Sequence, residues 1–294
     1  MQHLRSSQEE ADTRIMLHSV DAVKRGATEL CIESPDTDVL VLALRRYHQL
    51  CKNTVFVTGI GHKKREVPLI PTANALGKIK TAALPGFHAF TGADQTGRFG
   101  GMGKLRCWQA LNRCSETVIS AFAALGASFT TKPDTERCIE EFVCQLYEPG
   151  TTITDVADLR WKLFTKKQLE AQKLPPTRGA LKEVIARAHY QAIVWYQDFI
   201  PNPQLPPATN HGWRADGDVL VPITSSDPPA PAAVIHMVKC GCKKSKCQSL
   251  CSCRSQNLNC SELCECGADD DACTNVDNGQ MLGIDDSDED ESEV

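Results

Sequence analysis

The 294-residue chain has no apolar run approaching the roughly 18 residues that a bilayer-crossing helix requires. Its start, MQHLRSSQEEADTR, has no apolar core of signal-peptide length. Together these absences exclude a membrane protein and lead to the expectation of a reducing intracellular compartment. There is no internal repeat, which sets solenoids and propellers aside. Lys and Arg are missing from residues 265 to 294, where Glu265, Asp269, Asp270, Asp271, Asp277 and seven acids in the last ten positions leave twelve negative charges. Taking those twelve from the formal net charge of −5 leaves residues 1 to 264 at +7. The body is therefore suited to a polyanion and the tail is not. DDSDEDESEV has too little apolar surface to offset the entropy of ordering, so residues 279–294 are expected to be an acidic disordered tail.

What is present is 41% hydrophobic and 23% charged, core enough for one large domain or two smaller ones. Eight of the 16 prolines lie between Pro201 and Pro231. That density cannot continue a helix or a central strand, so 201–234 is expected to run extended as a Pro-rich linker, with Trp213, Val219 and Leu220 pinning parts of it. Before it, ATELCIES (27–34) and TVFVTG (54–59) read as short buried strands, and KREVPLI (64–70) pairs with the second across Gly59 and Gly61. Residues 113–200 read as a helical extension. One helix opens at Ser115 and stops near Gly126, and another follows Asp134 and Thr135. A long one follows Pro175, Pro176 and the cap residue Thr177, with Leu181, Val184, Ile185, Ala188, Ala192 and Trp195 on a 3.6-residue period.

The acids of the first hundred residues fall in a telling order. Glu10 and Asp12 open a helical pattern, Asp36 and Asp38 follow a strand in SPDTDVLVLAL, and Asp94 ends the series. Carboxylates at the carboxyl end of a parallel strand stand where open α/β sheets bind ligands. If the five converge, a hard cation such as Mg²⁺ or Mn²⁺ would neutralise them. Each is equally the ordinary residue for a helix cap or first turn, where it meets free N–H groups and the positive end of the dipole. His88, in PGFHAFTG, reads as a satisfied core residue, and Cys31, Cys51, Cys107, Cys114, Cys138 and Cys144 as buried free thiols.

Over about residues 8 to 112 the order of motifs resembles the internal region of flap-endonuclease and PIN-like nucleases. EEADTRIMLHSV is similar to their acidic helix, ESPDTDVLVLAL to their strand and D-x-D, and LPGFHAFTGADQTGRFGGMGKLRCWQAL to their G-x-D step into a helix-hairpin segment. The resemblance implies an α/β fold, with a partial parallel sheet and helices over 1–112. It implies Mg or Mn ligands at Glu10, Asp12, Asp36, Asp38 and Asp94. It also implies a phosphate-contacting loop at Gly101-Met102-Gly103-Lys104, with Gly101, Gly103 and Lys104 as nucleic-acid contacts. Such nucleases begin with a strand carrying an essential aspartate, and none precedes Glu10. The expectation is a nuclease-like body that binds nucleic acid without useful turnover, the alternative being a metal-dependent, structure-specific nuclease.

After the linker, nine of the 15 cysteines fall at 240, 242, 247, 251, 253, 260, 264, 266 and 273. In a reducing compartment such spacing points to metal rather than disulfides, and an odd number of thiols cannot all pair. Three tetrahedral zinc ions need twelve thiolate bonds, which Cys240, Cys242, Cys247, Cys251, Cys253, Cys260, Cys264, Cys266 and Cys273 supply if three of them bridge. A module (235–278) so poor in large apolar side chains needs metal to fold.

CGCKKSKCQSLCSCRSQNLNCSELCEC also resembles the tesmin-like CXC domain, Cys273-Thr274-Asn275 matching its closing C-x-N. That family binds DNA, which implies phosphate contacts at Lys239, Lys243, Lys244, Lys246 and Arg254 and a nuclear protein. Leu250 stands where the family has a tyrosine, and one copy is present where it usually carries two. A zinc-stabilised protein-interaction module without DNA binding therefore stays open. The two resemblances together suggest a non-catalytic binding protein derived from a mobile element, or the remnant of a nuclease.

Overall fold

The computed structural model describes residues 4–167, 173–225 and, towards the carboxyl end, 239–242, 247–248, 250–256, 258–260, 264–267 and 273–275. They fall into two units, Met1–Asp227 and Pro228–Val294, each taken here by itself. The acidic tail at 279–294 and the residues Lys243, Lys244 and Lys246 lie outside the described residues.

The first unit is a mixed α/β body. It opens with α1 (Ala11–Lys24), β1 (Glu29–Glu33), α2 (Thr37–Arg45), β2 (Asn53–Thr58) and β3 (Arg65–Pro68). The three strands form one sheet in the order β1-β2-β3. β1 and β2 run parallel, Glu29 opposite Asn53, with α2 as the crossover between them. β2 and β3 run antiparallel, Val55 opposite Pro68. Their connection leaves β2 at Gly59, whose φ of +81° and 2.3 Å clearance to the Lys63 carbonyl oxygen admit no side chain.

The pairing of 64–70 with 54–59 thus agrees with the alternation read from the sequence, whereas β1 is not a buried strand. Only Ile32 is buried there, and Glu29, Cys31 and Glu33 are exposed, because β1 pairs on one side only. Cys31 is accordingly an exposed thiol and not a core one. Cys51, Cys107 and Cys144 are buried, and Cys114 and Cys138 are half-buried.

Helices make up the rest of the body: α3 (Leu69–Leu76), α4 (Lys78–Phe90), α5 (Lys104–Leu111), α6 (Glu116–Ala124), α7 (Pro133–Tyr147), α8 (Val156–Lys167) and α9 (Arg178–Tyr196). Local chemistry sets several of their starts. Ser115 accepts from the Val118 N–H and Thr177 from the Ala180 N–H, while Pro133 opens α7 with Asp134 and Glu136 in its first turn. One apolar core runs from Met16 to Trp195, so the α/β part and the helical extension share it.

Helix α4 lies at its centre. Phe87 and Phe90 meet Phe122 of α6 and Phe142 of α7 with ring centroids 5.6 to 6.1 Å apart in tilted and edge-on arrangements, and Phe122 and Phe142 meet each other at 5.1 Å. Each fully buried ring contributes about 1.5–3 kcal/mol. Gly86 lets α4 and α6 approach, since a Cβ there would come within 2.2 Å of the Phe122 carbonyl oxygen.

The Pro-rich stretch is not simply extended. Gly217, at φ +62°, and Asp218 close a two-residue turn between β4 (Trp213–Asp216) and β5 (Val219–Pro222), which pair antiparallel. Arg187 of α9 donates to the carbonyls of Gly212 and Ile223 at 3.1 and 3.2 Å, with its guanidinium 5.8 Å from the Trp213 ring. Trp213 is therefore the pin, and Val219 and Leu220 stay exposed.

The second unit is small, irregular and rich in cysteine. Its regular structure among the described residues is one helical turn, α10 (Ser252–Ser255).

The close passage of α4 over α6 predicts that Gly86→Ala destabilises the chain by about 1–3 kcal/mol through overpacking. Urea unfolding measures it, and a wild-type midpoint would contradict the packing.

Candidate metal centres

The carboxyl end of β1 delivers Asp36 and Asp38 to one place. The Ser34 hydroxyl accepts the Asp36 N–H at 3.0 Å, and Asp36 caps α2 by accepting the Asp38 N–H at 2.9 Å. Helix α1 brings Asp12 against them, and one carboxylate oxygen from each of Asp12, Asp36 and Asp38 lies within 4.8 Å of the other two. The cap reading and the cluster reading both hold for Asp36, because capping occupies one oxygen of two.

Glu10 and Asp94 stand close enough to act on Asp12 electrostatically, but the 4.8 Å triangle takes in only Asp12, Asp36 and Asp38. Glu10 is half-buried and held from α9, Gln191 donating to Oε1 at 2.8 Å and the Trp195 indole to Oε2 at 3.1 Å. Burial raises its pKa, those two hydrogen bonds oppose the rise, and Asp38 adds to it. Asp12 is pushed up to about 6, by burial first and then by Asp36, Asp38, Glu10 and Asp94. Among the described residues no Lys or Arg forms an ion pair with any of the five.

Asp36, Asp38 and Asp94 open onto a cleft of about 470 Å³ that is also lined by His88, Arg98 and Lys104. His88 is not a self-contained core residue: its Nε2 lies 2.7 Å from Asp38 Oδ1. Gly103 caps α5, and Gly101 sits beside it at φ +65°, both with open space where a Cβ would stand. Lys104, expected to face a phosphate, has its ammonium turned to α4. It donates to the His88 carbonyl at 2.9 Å and to the buried Thr91 hydroxyl at 3.1 Å. The physical reason is the free carbonyl end of α4, which a cation from the next helix satisfies. Burial pulls the Lys104 pKa down to about 8, against the pull of Asp38 and Cys107.

His88 and Arg98 are the cleft residues that sequence reasoning missed. The His88 contact spans fifty positions, and no local spacing marks it.

In the second unit the cysteines form the core. Eight are buried and Cys242 is half-buried, with Leu258 packed on them. Their sulfurs group into three tetrads, each within 4.8 Å: Cys240, Cys242, Cys247 and Cys251; Cys240, Cys253, Cys260 and Cys264; Cys240, Cys247, Cys260 and Cys266. Sulfur–sulfur separations of 3.7 Å for Cys240–Cys247, 3.8 Å for Cys240–Cys260 and Cys251–Cys260, 3.9 Å for Cys240–Cys266 and 3.6 Å for Cys253–Cys264 recur. A zinc tetrahedron with Zn–S of about 2.3 Å has edges of about 3.8 Å. The chain therefore carries a cysteine cluster able to hold zinc.

Without metal, burial pushes Cys240 to about 11 and Cys253 to about 12, so these sulfurs become thiolates at neutral pH only beside a cation. Cys251 goes the other way, to about 7. Burial penalises its charge too, but the Arg254 backbone and the Cys240 thiol favour the thiolate. Asn275 ties the cluster shut. Its side-chain amide donates to Leu258 O at 2.9 Å and Cys260 Sγ at 3.4 Å, its N–H to Cys273 Sγ at 3.3 Å, and its carbonyl accepts the Cys260 N–H at 2.7 Å. Arg254 is partly engaged, donating to the Thr274 carbonyl at 2.7 Å, and Lys239 gives its carbonyl to Ser252.

No family model, curated protein or solved structure matches this chain. No helix among the described residues is long and apolar enough to cross a membrane.

Two outcomes follow from the geometry. Asp12 holds its proton up to about 6 when folded and near 3.8 when unfolded. The folded chain keeps the extra proton between those values, so this group's effect is a stability that declines as pH rises from about 4 to about 6. Asp12→Asn is expected to flatten that decline in thermal melts without divalent cation. Asn275→Ala is expected to speed zinc loss to a chelating dye on the order of 10-fold, as removal of a hydrogen bond to a ligand does elsewhere. An unchanged rate would show that the asparagine only fills space.

Proposed function

We propose that the protein is a zinc-cluster DNA-binding protein of the nucleus, with a PIN/flap-endonuclease-like body that holds a divalent cation and binds nucleic acid without efficient cleavage. The observation that carries the reading is the set of three sulfur tetrads, which supports a zinc module at 240–273, most of it inside the 1–264 stretch whose formal charge is +7. Cys240, Cys247 and Cys260 recur among the tetrads and are the proposed bridging thiolates of a three-zinc cluster, with Cys273 completing the nine. Lys239, Lys243, Lys244, Lys246 and Arg254 are the proposed phosphate contacts. Leu250 is 96% exposed and occupies the place of the tyrosine in the CXC domains that the module resembles, where an apolar side chain can wedge against a base step.

In the body, the parallel β1-α2-β2 crossover and the meeting of Asp12, Asp36 and Asp38 support a cation site, with Glu10 and Asp94 as the further proposed donors. The donors are all hard oxygens, which suits Mg²⁺ or Mn²⁺. Such an ion supplies charge neutralisation and an acidified water when bound. That convergence in an open cleft also favours a second reading, metal-dependent phosphodiester hydrolysis.

Zinc content of the purified chain is expected to be about three ions, and one or none would overturn the cluster. A labelled duplex is expected to shift in a salt-dependent manner, less so with Lys243→Ala/Lys244→Ala. An unshifted duplex at low salt leaves the module a protein-interaction domain. With Mn²⁺ and flap or hairpin DNA we expect no cleavage; cleavage that disappears in Asp36→Ala places the second reading first.

A further inference from the structure

The acidic cleft has a second ring of side chains behind its carboxylates. Gln191 and Trp195 hold Glu10, and His88 holds Asp38. Lys104 approaches this ring through the imidazole: its ammonium lies 3.1 Å from His88 Nδ1.

The hydrogen-bond inventory fixes the direction of this chain. A carboxylate can only accept, so the 2.7 Å contact with Asp38 Oδ1 places the proton of the neutral imidazole on Nε2. Nδ1 then carries a lone pair, and the ammonium, which can only donate, fills it. The ammonium's other two contacts are the His88 carbonyl at 2.9 Å and the Thr91 hydroxyl at 3.1 Å, so its three donors have three acceptors. Both acceptors belong to the end of α4, so the lysine is anchored on the helix that carries the histidine.

The consequence is electrostatic as well as geometric. Were Lys104 in direct contact with Asp38, it would neutralise the carboxylate and compete with a cation for it. With the imidazole between them, the ammonium stays off Asp38, which is oriented by an imidazole N–H. An outer-shell partner of this kind fixes which oxygen of a ligand faces the ion.

We infer that His88, which donates its Nε2–H to Asp38 and accepts from Lys104 at Nδ1, is a positioning residue that sets the orientation of Asp38 in the divalent-cation site of the cleft. This rests on the reading of that cleft as a Mg²⁺ or Mn²⁺ site.

The test uses the full-length, zinc-loaded chain and two readouts. Long-range proton–nitrogen correlation spectra of histidine-labelled protein, with the His88 signals assigned by their loss in His88→Gln, are expected to show the Nε2–H tautomer. An Nδ1–H wild type would overturn the inference.

Free Mn²⁺ is then followed by electron paramagnetic resonance during titration. His88→Leu is expected to weaken Mn²⁺ binding on the order of 10- to 100-fold. His88→Gln, whose amide nitrogen reaches about as far as Nε2, should retain most of the affinity. Should the leucine variant not fold, His88→Asn, whose amide is too short to reach Asp38, takes its place. Equal affinity in the wild type and the leucine or asparagine variant sinks the positioning role and leaves the cation site intact. Glutamine no better than leucine also sinks it. A wild type that binds no Mn²⁺ sensitive to Asp36→Ala sinks the cation site and the positioning role together.

Discussion

The burial of α4 is the constraint on which the body depends. This helix packs against α2, α3, α6 and α9, and its Phe87 and Phe90 sit in the aromatic cluster with Phe122 and Phe142. Close packing permits few alternative rotamers, so the far side of the same helix is held equally still. His88 is on that side, one residue from Phe87, with its ring 6.1 Å from that of Trp195. The position of one polar side chain in the cleft is thus a by-product of an apolar core, which is how a rigid element gives a site its precision.

The convergence of acids in the cleft has an electrostatic cost. Asp12, Asp36 and Asp38 meet with no Lys or Arg paired to them among the described residues, and Asp12 keeps its proton to about 6, through burial first and the neighbouring carboxylates second. Elsewhere the body treats a buried acid differently. Asp198 is fully buried, and Arg46 donates to both of its oxygens at 2.6 to 3.2 Å. The acids at the end of β1 have no such guanidinium among the described residues, in contrast to the structural ion pair at Asp198.

What the sequence disclosed was local. Ser115, Thr177 and Asp36 could be read as caps because a cap contacts an N–H two or three residues away. The turn at Gly59 and the cysteine spacings were legible for the same reason. The contacts that build the cleft are long-range: fifty residues from His88 to Asp38, 181 from Gln191 to Glu10 and 185 from Trp195 to Glu10. No periodicity carries that information. A lysine after a glycine loop reads as a phosphate contact, and nothing local showed that its ammonium also meets the carbonyl end of α4. The edge position of β1 was hidden likewise, since ELCIE has the composition of a central strand and only its pairing exposes it.

The cysteine unit faces the same problem as the cleft and meets it more completely. Its core has Leu258 as its one apolar contribution beyond sulfur among the described residues, too little area to offset chain entropy. Sulfurs spaced at 3.6 to 3.9 Å are too far apart for disulfides and too close for thiolates without a cation between them. Asn275 then does for these sulfurs what Gln191 and Trp195 do for Glu10, donating neutral N–H groups that orient the ligand and leave its charge in place. In both units acidic or sulfur donors are gathered and oriented by N–H groups, and in the second the sulfurs stand at the spacing of a zinc tetrahedron.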